Sequence, residues 1–467
     1  MGSKKNIVLI LIDDMGWRDI GCYGSTFYDT PNLDRLAREG MLFTDAYAAC
    51  PVCSPSRASI MSGKYPASVG VTDWIDHGTF HPLKGRLIEA PYVKQLPLSE
   101  KSVASALKDG GYHTWHVGKW HLGKRPYYPE DHGFEKNIGG CWWGHPNNGY
   151  FSPWGIETLK DGPEGEYLTD RLTDEAIGLI ENNDGKPFFL NMWYYAVHTP
   201  IQAKKEDILK YEQKAKRLGL DKLDPMEYGE DFKTEDKKGR RVTRRIIQSD
   251  PVYAAMVYNL DWNIGRLLEA LDKCGQTDDT VVIFTSDNGG LSTAEGSPTC
   301  NRPLAEGKGW MYEGGVREPL LIKWPGVVKP GSVCREAVTS PDFYPTFLDI
   351  AGLPAMPEQH TDGVSMLPLL RGADKLALRP IFWHYPHYGN QGGEPASSVR
   401  FGDYKLIEFF EDGRLELYNL RDDLEEKYDL ASVMPGKAQE LRKMLDGWRR
   451  SIDAKIPQKN PDYKPNV

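Results

Sequence analysis

The run NIVLILI at positions 6–12 carries no charge and stops abruptly on two adjacent acids, Asp13 and Asp14. It shows neither the alternation of a half-exposed strand nor the length of a helix, so it reads as a strand covered on both faces. Comparable runs recur at 114–117, 188–193, 281–285 and 320–322. Helical patterns lie between them, at 32–39, 98–108, 169–180, 252–273 and 342–351. Strands that alternate with helices need crossover connections, which build a parallel sheet. The expected fold is therefore α/β, with a large, mostly parallel sheet sandwiched by helices. Ligands of such sheets gather beyond the carboxyl ends of the strands, so the residues that follow each run are the candidates for chemistry.

Two stretches depart from this rhythm. Lys, Asp and Glu crowd residues 204–245 with little periodicity, which predicts a surface excursion with irregular helix. Beyond residue 375, short runs at 381–385, 397–401, 404–409 and 415–419 are separated by turn residues and predict an antiparallel sheet. An amphipathic stretch over 437–456 predicts a helix packed on that sheet. The expected division is a large α/β domain over 1–375 and a smaller C-terminal subdomain over 376–467.

A net charge of −9 repels phosphate backbones and argues against nucleic acid as a partner, while leaving room for a small anion held by local cations. Thirteen Trp and twenty-four Tyr supply core, and any exposed remainder could serve as platforms for sugars. Seven scattered cysteines do not make a disulfide framework, and the CxxC spacing of Cys50 and Cys53 lacks a second pair. No apolar run reaches the ~18 residues of a membrane span. Met1-Gly2-Ser3 leads straight into the first strand and reads as the trace of a removed leader, which would make the protein periplasmic or secreted.

Asp13 and Asp14 at one strand end repel each other and require an offset; a helix cap plus a solvated acid is the bland alternative. The strand at 281–285 is followed by Ser286 and then Asp287-Asn288-Gly289-Gly290, again an acid and an amide, with glycines that permit a sharp turn. Two such ends side by side offer three carboxylates and an amide oxygen, a set for one hard divalent ion, calcium before magnesium.

The most specific segment is Cys53-Ser54-Pro55-Ser56-Arg57, continued by Ala58-Ser59-Ile60-Met61-Ser62-Gly63-Lys64. It resembles the signature of the type I sulfatases, and a second family pattern is matched at Gly111-Tyr112-His113-Thr114-Trp115-His116-Val117-Gly118-Lys119-Trp120-His121. The resemblance implies an alkaline phosphatase-like fold and a sulfuric ester hydrolase. It also implies that Cys53 is oxidised to formylglycine by a formylglycine-generating enzyme or an anaerobic maturase. A hydrated aldehyde carries two hydroxyls on one carbon: one attacks sulfur, and the other loses a proton and expels sulfate. Pro55 suits a helix start, which would put Cys53 where N–H groups and the helix dipole favour an anion. By the same resemblance, Lys119, His121 and Lys308 surround the sulfate, His198 serves the leaving group, and Arg57 touches the nucleophile or the metal's carboxylates. The plain alternative for each is a surface charge or a satisfied core histidine. The residues do not separate the roles of His121 and His198.

The substrate expected from the resemblance is a sulfated glycan, since the chain is similar to bacterial polysaccharide exo-sulfatases. Aromatic and histidine residues together suit a sugar, which makes His77, Trp142, Trp143, His145, His384, His387 and Arg400 the candidate contacts, with core packing as the competing reading. The segments Thr72-Asp73-Trp74-Ile75 and Cys141-Trp142-Trp143-Gly144-His145-Pro146 are similar to those of exo-acting enzymes for galactose or N-acetylgalactosamine 4-sulfate. Other readings are a sulfatase for another position such as 6-O-sulfate, a phosphonate or phosphodiester hydrolase of the same superfamily, and a non-catalytic sugar-binding relative.

Overall fold

The computed structural model describes residues 4–76 and 84–464. In the strand Asn6–Ile12, Val8, Ile10 and Ile12 enter one core while Ile7, Leu9 and Leu11 enter another, all of them fully buried. The run needs no polar alternation because both of its faces are covered. The helices Pro31–Glu39, Leu168–Glu181 and Pro251–Lys273 supply the first core. Cys53–Ser62, Val103–Asp109 and Phe343–Ala351 supply the second.

Among the described residues the main sheet has nine strands. Asn6–Ile12 pairs in parallel with Phe188–Trp193 on one side and Thr280–Ser286 on the other. Phe188–Trp193 pairs in parallel with His113–Gly118, and that strand with Lys136–Ile138. Arg317–Lys323 breaks the direction, running antiparallel to both Thr280–Ser286 and Met41–Tyr47. Met41–Tyr47 is not apparent in the sequence, because Thr44 and Asp45 interrupt its apolar residues. The expected helix at 98–108 begins only at Val103, where the Ser102 hydroxyl accepts from the Ser105 N–H at 3.0 Å and caps it.

Residues 204–245 are more regular than expected. They form the helix Lys205–Leu218, closed by Gly219 at φ 71°, and a hairpin of Met226–Asp231 with Arg241–Arg245. Only Tyr211 and Ala215 of that helix are buried, so its apolar periodicity is too sparse to read. Near the C-terminus, Ile381–Tyr385, Ala396–Phe401, Tyr404–Phe409 and Leu415–Asn419 form an antiparallel sheet in sequence order. The helix Pro435–Ser451 lays Ala438, Leu441 and Leu445 against Val399, Leu406 and Leu417, and ends before residue 456. The other face of this sheet packs Trp383, Ile407 and Phe409 on Tyr47, Cys50 and Val52 of the larger unit.

Candidate active site

The register of the two central strands sets Ile12 opposite Ser286, so Asp13-Asp14 and Asp287-Asn288 emerge level with each other. Asp14 adopts φ 63°, a left-handed conformation that Asp tolerates better than most residues. Its N–H donates to Asp287 Oδ1 at 3.2 Å, and Asn288 Nδ2 donates to Asp14 Oδ1 at 2.8 Å. Gly289 then lets the chain turn away, since a Cβ there would lie 1.8 Å from the Gly314 carbonyl oxygen.

Three cations converge on these acids. Lys119 Nζ donates to Asp13 Oδ2 at 2.7 Å, Lys308 Nζ to Asp14 Oδ2 at 2.8 Å, and Arg57 Nε to Asp287 Oδ2 at 2.8 Å. The Arg57 guanidinium also lies over the Trp193 ring, 5.0 Å from its centroid. Two oxygens stay buried without a hydrogen-bond partner, Asp13 Oδ1 and Asn288 Oδ1, an arrangement that is costly unless a cation takes them. Asp13, Asp14, Asp287 and Asn288 offer oxygens, which fits a hard divalent ion, with His198 and the Cys53 sulfur close beside them. Burial raises Asp13 to about 8 against the pull of Lys119, with the Asp287 carboxylate adding to the rise. Asp14 is buried too, but Lys308, His198 and Lys119 hold it below the usual carboxylate range. Each carboxylate already pairs with a side-chain cation, so a divalent ion would add positive charge to the pocket and make it receptive to an anion.

Cys53 opens the buried helix Cys53–Ser62, where first-turn N–H groups have no intrahelical partners. Its Sγ lies 3.4 Å from His121 Nδ1, while His121 Nε2 donates to the Ile75 carbonyl at 2.9 Å. That second bond fixes the tautomer and turns the Nδ1 lone pair toward the sulfur. Ser54 Oγ completes the frame, donating to the His121 carbonyl at 2.9 Å and accepting from the Ile75 N–H at 3.0 Å. Gly144 backs the imidazole so closely that a Cβ there would sit 2.6 Å from His121 Cε1. Burial pushes the Cys53 thiol up, although Lys119 and Lys308 oppose it, so the unmodified thiol stays protonated at neutral pH.

His198 faces the same space from beyond Phe188–Trp193. Its Nε2 is 3.0 Å from Lys308 Nζ and 3.4 Å from Asp14 Oδ2, and its Nδ1 donates to the Thr199 carbonyl at 2.9 Å. Tyr150, which sequence reasoning missed, holds the loop by donating to the carbonyls of Tyr195 and His198 at 2.7 and 2.8 Å. Burial and then Lys308 hold His198 well below the ordinary imidazole value, against Asp14. His145 is exposed and stacks on His198, with ring centroids 5.8 Å apart and planes 7° apart. Trp142 and Trp143 are half-buried, edge to face at 6.2 Å, with Lys124 Nζ 4.8 Å from the centre of the Trp142 ring.

Other expected sugar contacts lie elsewhere. His384 is buried, with Nδ1 on Ser397 Oγ at 2.6 Å and Nε2 on the Lys455 carbonyl at 2.9 Å, which leaves no ring nitrogen for a ligand. His387 is fully buried beside Asp73 and Thr72. Arg400 is committed to Asp45 Oδ1 at 2.8 Å and to the Tyr47 hydroxyl, inside a buried ion cluster that includes Arg317 and Glu313. These three are structural, and their aromatic or polar neighbours in sequence are core residues. His77 lies outside the described residues.

Comparison with known proteins bears on this geometry. The Sulfatase family model matches residues 5–353, and one described as N-sulphoglucosamine sulphohydrolase, C-terminal, matches residues 306–449. A sulfatase of Formosa agariphila is 33% identical over 96% of this chain and 89% of its own. The N-acetylgalactosamine-6-sulfatase of Homo sapiens is 34% identical over 82% of this chain and 68% of its own. The crystal structure of Ps i-CgsB superposes with TM-score 0.75 at 30% identity, covering 95% of this chain and 92% of that one. A phosphonate monoester hydrolase of Agrobacterium radiobacter, at 20% identity and TM-score 0.68 over 98% of this chain and 97% of that one, shares the fold. No helix among the described residues is long and apolar enough to cross a membrane. With its strand-end carboxylates and its helix-borne cysteine on one sheet edge, the chain belongs to the sulfatase family and is a sulfuric ester hydrolase of alkaline phosphatase-like fold.

Proposed function

We propose that this sulfatase removes sulfate from a carbohydrate, with Cys53 as the source of its nucleophile. The observation that carries the reading is Cys53 Sγ at the first turn of a buried helix, 3.4 Å from His121 Nδ1. Oxidised to formylglycine by a maturing enzyme, Cys53 would supply a hydrated aldehyde able both to attack sulfur and to release the sulfate. A calcium ion held by Asp13, Asp14, Asp287 and Asn288 would draw charge from the sulfate oxygens.

The chain's own residues then have separable tasks. His121, with Nε2 committed to Ile75, receives a proton at Nδ1 from the nucleophile. Lys119 and Lys308 face the sulfate oxygens, where negative charge spreads in the transition state. His198 and Lys308 share a proton at His198 Nε2 and deliver it to the departing sugar oxygen. Arg57 orders the carboxylates rather than touching the substrate.

Trp142, Trp143 and the exposed His145 provide the side wall beside His198, where a sugar leaving group would rest. The N-acetylgalactosamine-6-sulfatases of several mammals stand at 32–34% identity. On that ground the proposed position is O6 of galactose or N-acetylgalactosamine, in place of the O4 expected from the sequence, and action is from the chain end. The protein would work in the periplasm or outside the cell, with residues 1–375 as catalytic unit and 376–467 as subdomain. The test is a panel of galactose monosulfates at O2, O3, O4 and O6 and N-acetylgalactosamine monosulfates at O3, O4 and O6, with a phosphate monoester and a phosphonate as controls. Preference for O6 is expected. Preference for O4 restores the first position, and faster hydrolysis of the phosphonate than of any sulfate overturns the reading.

A further inference from the structure

Outside the site above, one more group of ligating side chains converges among the described residues. Asp73, Glu89 and His387 each offer an atom within 4.8 Å of the other two. They come from three separate parts of the chain: the loop after the nucleophile helix, the segment following Leu87–Ile88, and the turn after Ile381–Tyr385. We propose that Asp73, Glu89 and His387 form a second divalent-cation site of the zinc class, distinct from the oxygen set at the strand ends.

The imidazole makes the strongest case. His387 is fully buried, its Nε2 meets Thr72 Oγ1 at 2.9 Å, and its Nδ1 has no hydrogen-bond partner. With Nε2 donating to the threonine, Nδ1 presents a lone pair, the outer-sphere arrangement typical of a metal-bound histidine. Nδ1 points toward Asp73 Oδ2 at 3.9 Å, too long for a hydrogen bond. Two ligands on one tetrahedral zinc lie about 3.4 Å apart, so a shared cation would draw this pair together by about half an ångström.

The carboxylates complete the site. Asp73 Oδ1 already accepts from the Tyr385 hydroxyl at 3.0 Å and the Trp74 N–H at 2.8 Å, which leaves Oδ2 for the ion. Glu89 Oε1 accepts from the Tyr388 N–H at 3.0 Å. Lys94, on the same side, is committed to Asp76 at 2.6 Å. One imidazole with two carboxylates favours zinc over calcium. Such an ion would tie the Thr72–Ile75 loop to the C-terminal sheet, and Ile75 orients His121.

The test counts metals in the full chain after incubation with excess calcium and a slight excess of zinc, followed by desalting and elemental mass spectrometry. Wild type is expected to retain about one zinc per chain alongside calcium. His387→Ala and Glu89→Gln are expected to lose that zinc about tenfold or more while keeping calcium. Asp14→Asn is expected to do the reverse. If His387→Ala does not fold, as judged by circular dichroism, the half-buried Glu89 variant carries the comparison. Wild type without stoichiometric zinc, zinc unchanged in Glu89→Gln, or zinc lost from Asp14→Asn would each overturn the proposal.

Discussion

Cys53 is 3% exposed and packs by little more than one sulfur, so Cys53→Ala changes chemistry far more than it changes packing. Turnover is expected to fall below about a thousandth of wild type, with a melting temperature close to wild type by calorimetry. Histidines 121 and 198 should separate by leaving group. His198→Ala is expected to slow a sulfated sugar about 10²–10⁴-fold yet spare a nitrophenyl sulfate, whose anion leaves without a proton. His121→Ala is expected to slow both substrates alike, and equal losses for the two variants on both substrates would contradict the division of roles. The acids at the strand ends were legible in sequence because an apolar run ending on paired acids has few structural uses. Histidines 384 and 387 were not, because a histidine among aromatics reads the same in a core as in a pocket. What decides for His384 is Ser397 and Lys455, thirteen and seventy-one residues along the chain.

The elements put those side chains in place through close backbone contacts. Gly118 ends its strand at φ 103°, and a Cβ there would lie 1.9 Å from the Trp193 carbonyl oxygen, which accepts the Lys119 N–H at 2.7 Å. Gly118→Ala therefore has to push two paired strands apart. It is expected to lower stability by about 2 kcal/mol or more and to displace Lys119, seen as a shift of the urea midpoint together with lost activity. The buried parallel strands and their helices were readable because continuous apolar runs and 3.6-residue periodicity are strong signals. Met41–Tyr47 and Lys205–Leu218 were not, since one carries Thr44 and Asp45 mid-strand and the other buries only two side chains.

At the scale of the whole molecule, stability should follow both metal and acid. A chelator leaves Asp13, Asp14 and Asp287 facing one another with only the three side-chain cations, so melting temperature and activity are expected to fall together and return with calcium. Burial depresses His384 to about 4 from the ordinary imidazole value of 6.5. The unfolded chain therefore takes up a proton that the native state refuses, and this group's contribution is intact above about pH 6.5 and declines as pH falls toward 4. Between pH 7.5 and 5 the loss is about 2 kcal/mol. Urea titrations at the two pH values should show His384→Gln losing less than wild type by about that amount. The order of the sheet also sets a timetable. The first strand completes its pairing only with Phe188–Trp193 and Thr280–Ser286. At about 5–20 residues per second, Cys53 leaves the ribosome roughly 10–50 s before the last of these partners is made. In the finished fold the same side chain is 3% exposed on a buried helix, within reach of a small sulfate group but with its flanking segment out of reach of another enzyme. Any enzyme that modifies Cys53 must therefore act on a nascent, open chain, so the supply of active protein would be set during synthesis and could not be corrected afterwards.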